Sequence, residues 1–261
     1  MKMYVDALGE RKPFDPGHFV GTYADAYFLD TPRVVPGIRQ SCRYVEGEVE
    51  EILRNGFSSS VDVIRAMAWK AGKIKQRCSQ DSLSFEYSSD WANWEVETAG
   101  IDGGDVKALG MESRAGIPYF AVWVWASCEE KKWSAALRRG NIQEVLEDMS
   151  KHCPSGVGTT QMLSLLFFIS RGAFPIIDRF AGTALAAIVN GISPDDKKLA
   201  EPLWKELPAK GSNGFRTVFR DRVLPYRRIL NYLFGDTWET DRNIDRALWV
   251  YGHRFAGSVC R

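Results

Sequence analysis

Two short stretches carry residue types that can do chemistry. Pro154-Ser155-Gly156-Val157-Gly158 is a tight-turn signal, because glycine accepts positive φ and lets another backbone approach. One helix and one loop downstream, Phe174-Pro175-Ile176-Ile177 leads to Asp178, at the head of a helical run over Arg179–Val189. Backbone amides of such a turn, with the N-terminus of the helix that follows, can point at a phosphate. A carboxylate opening a helix is held ionised by free N–H groups and the positive end of the dipole. It can stabilise a developing positive charge, or orient or deprotonate a water. The ordinary roles are blander, since an Asp there usually only caps its helix and such a turn usually only joins two helices.

With these residues and this spacing, the segment Lys151–Leu185 resembles the helix-hairpin-helix (HhH-GPD) DNA glycosylase superfamily, in its OGG/MutY-like branch. The family's mark is a hairpin L-P-G-V-G, then a helix, then V/I-D at the start of the next helix. This chain has Pro154, Gly156, Val157 and Gly158, with Ser155 inserted after the proline, and Ile177-Asp178 downstream. The resemblance implies a mainly α, two-lobed helical fold of the HhH-GPD DNA glycosylase type, with room for a short β insertion around 80–127. It implies double-stranded DNA as partner and cleavage of the N-glycosidic bond of a damaged or modified base. Asp178 would stabilise the oxocarbenium ion at C1′. Thr160 stands where bifunctional members carry a lysine. A hydroxyl without a base cannot form the Schiff base that leads to strand cutting, so a monofunctional glycosylase with water as nucleophile is expected. Lys151 and Lys132 are the nearby amines in sequence. Gly156, Val157, Gly158 and Thr159, with Lys70 and Lys73, would contact the DNA backbone.

Excision enzymes hold the extruded base between aromatic and apolar groups. Trp249, His253 and Phe255 on the last helix are the candidates for such a pocket, and each equally suits a core position. The glutamine that many members wedge into the duplex has no counterpart in Ala66–Lys73. With that glutamine and the lysine both missing, a catalytically inactive helix-hairpin-helix DNA-binding protein or partner subunit is the alternative.

Composition sets the bounds. A chain of 261 residues with 45% hydrophobic and 26% charged residues can bury a substantial core. Net charge is +1, so any DNA affinity must come from local clusters such as Lys70–Arg77 or Arg216–Arg228. The five cysteines are scattered with no C-x-x-C pair, which suggests reduced thiols and a cytoplasmic protein. Relatives that hold an iron–sulfur cluster use four closely spaced C-terminal cysteines. Only Cys260 lies there, so no cluster, other cofactor or metal is expected. No signal peptide or membrane span is expected either.

The elements that must position these residues read as mostly helical. Apolar spacing predicts helices over Val45–Asn55, Val61–Arg77, Glu129–Arg139, Asn141–Ser150, Thr159–Ile169, Pro194–Glu206, Phe215–Asp221, Tyr226–Phe234 and Ile244–Phe255. An irregular arm with a short helix around Tyr23–Leu29 precedes them. Ser82–Tyr87 alternates like a strand. Ile117–Ser127 is apolar throughout and suits either a buried strand or a buried helix. The expected division is 1–57, an arm and helix packing with the C-terminal lobe; 58–178, a lobe ending in the hairpin and Asp178; and 179–261, the C-terminal lobe.

Overall fold

The computed structural model describes residues 2–35, 38, 40–75, 86–87, 91–101, 117–152, 158–194 and 219–255. These residues make a mainly α protein. In chain order come β1 (Met3–Val5), β2 (Arg11–Pro13), α1 (Pro16–Tyr23), α2 (Arg43–Asn55), α3 (Ser60–Lys70), β3 (Ile74–Lys75), β4 (Glu86–Tyr87), α4 (Trp91–Thr98) and α5 (Ile117–Ala126). Then follow α6 (Glu129–Arg138), α7 (Ile142–His152), α8 (Thr159–Ile169), α9 (Arg179–Asn190), α10 (Leu224–Phe234) and α11 (Arg242–His253). The strands form two antiparallel pairs, with Tyr4 opposite Lys12 and Ile74 opposite Tyr87.

Contacts divide the chain into two compact units. The first joins Met1–Arg43, Pro175–Glu206 and Asp221–Arg261; the second joins Tyr44–Phe174 and Leu207–Arg220. The breaks thus fall at 43/44, 174/175, 206/207 and 220/221, where the expected division had two, at 57/58 and 178/179. Nearly all of α2 goes with the second unit, and the Pro175–Asp178 approach to α9 goes with the first.

In the first unit β1 is tied to α11 by polar groups inside an aromatic core. Tyr4, Phe19, Tyr23 and Tyr251 are fully buried, and their rings meet edge-on or tilted at 5.2–6.5 Å. The Val5 amide donates to the Tyr251 hydroxyl at 3.1 Å, and the Tyr23 hydroxyl donates to the Val5 carbonyl. Arg254 donates to the Asp6 carbonyl at 2.5 Å and to the Tyr23 hydroxyl at 2.6 Å. Burial pushes the Tyr251 phenol up to about 12, so it stays a neutral hydrogen-bonding group. The short helix expected around Tyr23–Leu29 is a single 3-10 turn, Asp25–Tyr27. It follows α1, which starts at Pro16 because Asp15 accepts from the His18 amide at 2.7 Å and proline suits the first helical position.

In the second unit α3 packs on α4, α5 and α8, and α6 packs on α5, α7 and α8. Every residue from Met162 to Ile169 is buried, which places α8 in the middle of that unit. Ser59 and Asp62 close a capping box at the start of α3. That helix ends at Lys70, not Arg77: Gly72 adopts a φ of 66°, and the Lys73 amide returns to the Ala68 carbonyl at 2.9 Å. The ambiguous Ile117–Ser127 run is helix α5, with Phe120–Val124 buried. Trp91 and Trp94 belong to α4 and meet edge to face at 4.9 Å. Of the expected strand Ser82–Tyr87, only Glu86–Tyr87 falls within the described residues, paired with β3. The helix expected over Pro194–Glu206 and most of Phe215–Asp221 lie outside the described residues, while Phe219–Val223 forms a π-type turn.

The expectation that all thiols are reduced does not hold. Cys42 is disulfide-bonded, while Cys128 is free. No helix among the described residues is long and apolar enough to cross a membrane.

Within the first unit α9 and α11 approach each other closely at Gly252. A Cβ there would lie 2.0 Å from the Phe180 carbonyl oxygen and 2.5 Å from its carbon. Both are backbone atoms that cannot rotate away. Replacing glycine with alanine within a helix ordinarily gains about 1 kcal/mol. Here overpacking must outweigh that gain, so Gly252→Ala should destabilise the protein by about 2–3 kcal/mol in a urea melt.

Candidate functional site

The chain brings Asp178 to the head of α9 by burying the residues before it. Phe174, Ile176 and Ile177 are each at most 4% exposed, and Pro175 restricts the preceding residue to extended backbone. Asp178 remains extended, at φ −137° and ψ 168°, so its side chain folds back over the first turn of α9. Its Oδ1 accepts from the Phe180 amide at 2.8 Å and the Ala181 amide at 2.9 Å. The carboxylate is half-buried, so it is not sealed in the interior. Its charge acts on two buried neighbours, Tyr226 of α10 and His253 of α11.

A stack of rings borders that carboxylate. His253 lies on Phe180, centroids 3.5 Å apart and planes 23° apart, with Trp249 4.0 Å away on its own helix. The Arg179 guanidinium sits 4.6 Å from the centre of the Phe180 ring, and Tyr27 meets Trp249 edge-on at 5.2 Å. His253 Nδ1 lies 2.8 Å from the Trp249 carbonyl. A carbonyl only accepts, so Nδ1 carries the proton and Nε2 is the lone-pair nitrogen of the neutral ring. Burial lowers the His253 pKa. The Trp249 carbonyl and the Asp178 charge pull it up, and Arg179 pushes it down.

Three of the sequence candidates therefore gather: Asp178, Trp249 and His253. Phe255 does not join them. It lies just past the end of α11 and packs on Tyr251 at 5.5 Å, beside the N-terminal aromatic core. Phe180, between the carboxylate and the histidine, escaped the sequence reading. The signal available was its position two residues after a capping Asp, where a side chain must project near the cap.

The other candidates lie in the second unit, and Pro154–Val157, with Gly156, fall outside the described residues. Gly158 precedes α8 in extended backbone, and its amide donates to the Gln161 side chain at 3.0 Å. Gln161 was also missed, although a side-chain acceptor three residues past a helix cap is a recognisable spacing. Thr159 is buried, while Thr160 is half-buried with its carbonyl accepting from Ser164 at 2.7 Å. Lys70 closes α3 and Lys73 follows the Gly72 turn. The two amines that could replace the missing lysine are engaged elsewhere. Lys132 lies 2.6 Å and Lys151 3.9 Å from Asp148. The Asp148 carboxylate holds the Lys132 pKa above its usual range, which keeps that amine protonated and non-nucleophilic. Among the described residues no group of His, Cys, Asp and Glu could hold a metal ion.

A buried neutral histidine leaves a mark on stability. The unfolded chain takes up the His253 proton more readily than the folded one, so folding stability is full above about pH 6.5 and falls as pH drops below it. Thermal melts between pH 7.5 and 5 should show that loss, and His253→Phe should lack its share of it. No protein-family model, no curated protein and no solved structure matches this chain.

Proposed function

We propose that the protein is a DNA base-excision glycosylase that cleaves the N-glycosidic bond of a damaged or modified base with water as nucleophile. The observation that carries this reading is the placement of Asp178. It is a half-buried carboxylate fixed by two amides at a helix start, beside a neutral histidine and a stack of aromatic rings. Departure of the base leaves an oxocarbenium-like sugar, and an anion already oriented by the α9 amides stabilises it without rearranging first. The surrounding apolar rings lower the local dielectric and strengthen that attraction. His253, with Nε2 as acceptor, is the group suited to receive a hydrogen bond from the departing base or the water. Thr160 contributes no amine, and Lys132 and Lys151 are held by Asp148, so the product is an abasic site rather than a cut strand. The sequence resemblance over Lys151–Leu185 supplies the DNA and the reaction class.

A second reading rests on the same cap. Asp178 Oδ1 is fully used by two α9 amides, which suits a residue kept only to start the helix in an inactive DNA-binding protein.

A panel of duplexes carrying lesions or modified bases, developed with alkali to reveal abasic sites, separates the two. Asparagine caps helices as well as aspartate does, so Asp178→Asn should melt within a few degrees of wild type. Under the first reading it loses base release by about a hundredfold or more. Salt-dependent duplex binding by both proteins, with no abasic sites from either on any duplex, would establish the second reading in its place.

A further inference from the structure

The second unit contains a cavity of about 530 Å³, at the end of α8 away from Gly158. An 11-residue helix spans about 16 Å, so this hollow is separate from the hairpin end of α8. Its volume is in the range that holds a drug-sized ligand.

Three cations line it: Lys131 and Arg138 of α6, and Arg171 just past α8. Against them stands one carboxylate, Glu130, which leaves the lining two positive charges in excess. Among the described residues none of the three cations lies within ion-pair distance of a carboxylate. Burial raises the Glu130 pKa although Lys131 and Arg171 pull it down, which further weakens the only local counter-charge.

Backbone conformation marks the same place. Among the described residues only Cys128 (φ 62°) and Arg171 (φ 56°) are non-glycine residues with positive φ, and both line this cavity. Arg171 occupies the position after the α8 cap where glycine is the usual residue, with the Gly172 amide returning to the Phe167 carbonyl at 2.9 Å. An arginine held there against its preference calls for a compensating role. Its guanidinium donates to the Asn55 carbonyl at 3.3 Å, and Gly56 leaves it room: a Cβ there would sit 3.2 Å from Nη2. One wall is the half-buried indole of Trp125, anchored by its Nε1 to the Phe57 carbonyl at 3.3 Å.

We propose that this cavity binds a phosphomonoester of roughly mononucleotide size, its phosphate held by Arg171, Arg138 and Lys131 and its flat group against Trp125. A phosphomonoester carries close to two negative charges at neutral pH and so matches the excess on the lining. The planar fork of arginine suits its oxygens. The proposal is independent of base excision, because it uses no residue of the Asp178 site.

Isothermal titration of the full chain with adenosine 5′-monophosphate at low salt tests it, with inorganic phosphate as the second probe. The nucleotide should bind more tightly than phosphate alone and slow alkylation of Cys128 by iodoacetamide, followed on its peptide by mass spectrometry. Arg171→Gly relieves the left-handed backbone, so its Tm should equal or exceed that of wild type while its affinity falls at least tenfold. Arg138→Gln, at an exposed helix position, should weaken binding similarly. No heat and no protection of Cys128 in wild type would overturn the proposal, as would wild-type affinity in both variants.

Discussion

The backbone contact between Gly252 and Phe180 sets the geometry of the first unit. With no side chain at residue 252, α11 settles directly on the first turn of α9, at the carbonyl of Phe180. That approach puts residues one position away on α11 against the α9 cap, and so brings the ring of His253 within 3.5 Å of the Phe180 ring. Asp178 then faces a buried histidine and a buried tyrosine rather than water alone. The opposite face of α11 is fixed independently. Tyr251 and Arg254 hold β1 through Val5 and Asp6, so one helix braces the chain terminus on one side and the candidate site on the other.

Capping is compatible with the catalytic role proposed for Asp178. An N-cap contributes about 1 kcal/mol, and most of that survives a change to another capping side chain. Stabilising a developing cation depends instead on the full negative charge, held in place where water is scarce. The two amides that cap α9 also keep the carboxylate from turning toward Arg179 or solvent. The histidine complements it by being neutral. A protonated His253 would form an ion pair with Asp178 and cancel the field that a sugar cation needs, and burial among Phe180 and Trp249 disfavours that protonation.

Local signals were legible where a single residue decides the backbone. The aspartate at the head of α9 could be read directly, because capping chemistry depends on one side chain. Gly72 ends α3 by the same logic, where apolar spacing alone carried the expected helix on to Arg77. Runs without a periodic pattern were not legible: Ile117–Ala126 is apolar on every side, so composition fits strand and helix equally. Long-range placement was the least legible. Nothing local separates Trp249 and His253 from Phe255, although Phe255 lies just past the end of α11 and packs on Tyr251 instead, because which face meets α9 depends on a glycine whose partner lies across the fold. The disulfide at Cys42 was hidden for a related reason, since spacing along the chain says nothing about a bond closed by the fold.

The amide of Gly158 is ordered by a side chain of its own helix. Its N–H is already used by the Gln161 side chain, a neutral hydrogen bond worth about 1 kcal/mol net. An anion contact in the proposed function would have to displace this bond, and the α8 N-terminus would favour such an exchange. The Gln161 side chain therefore orders the start of α8 by itself, without help from the buried run that begins at Met162.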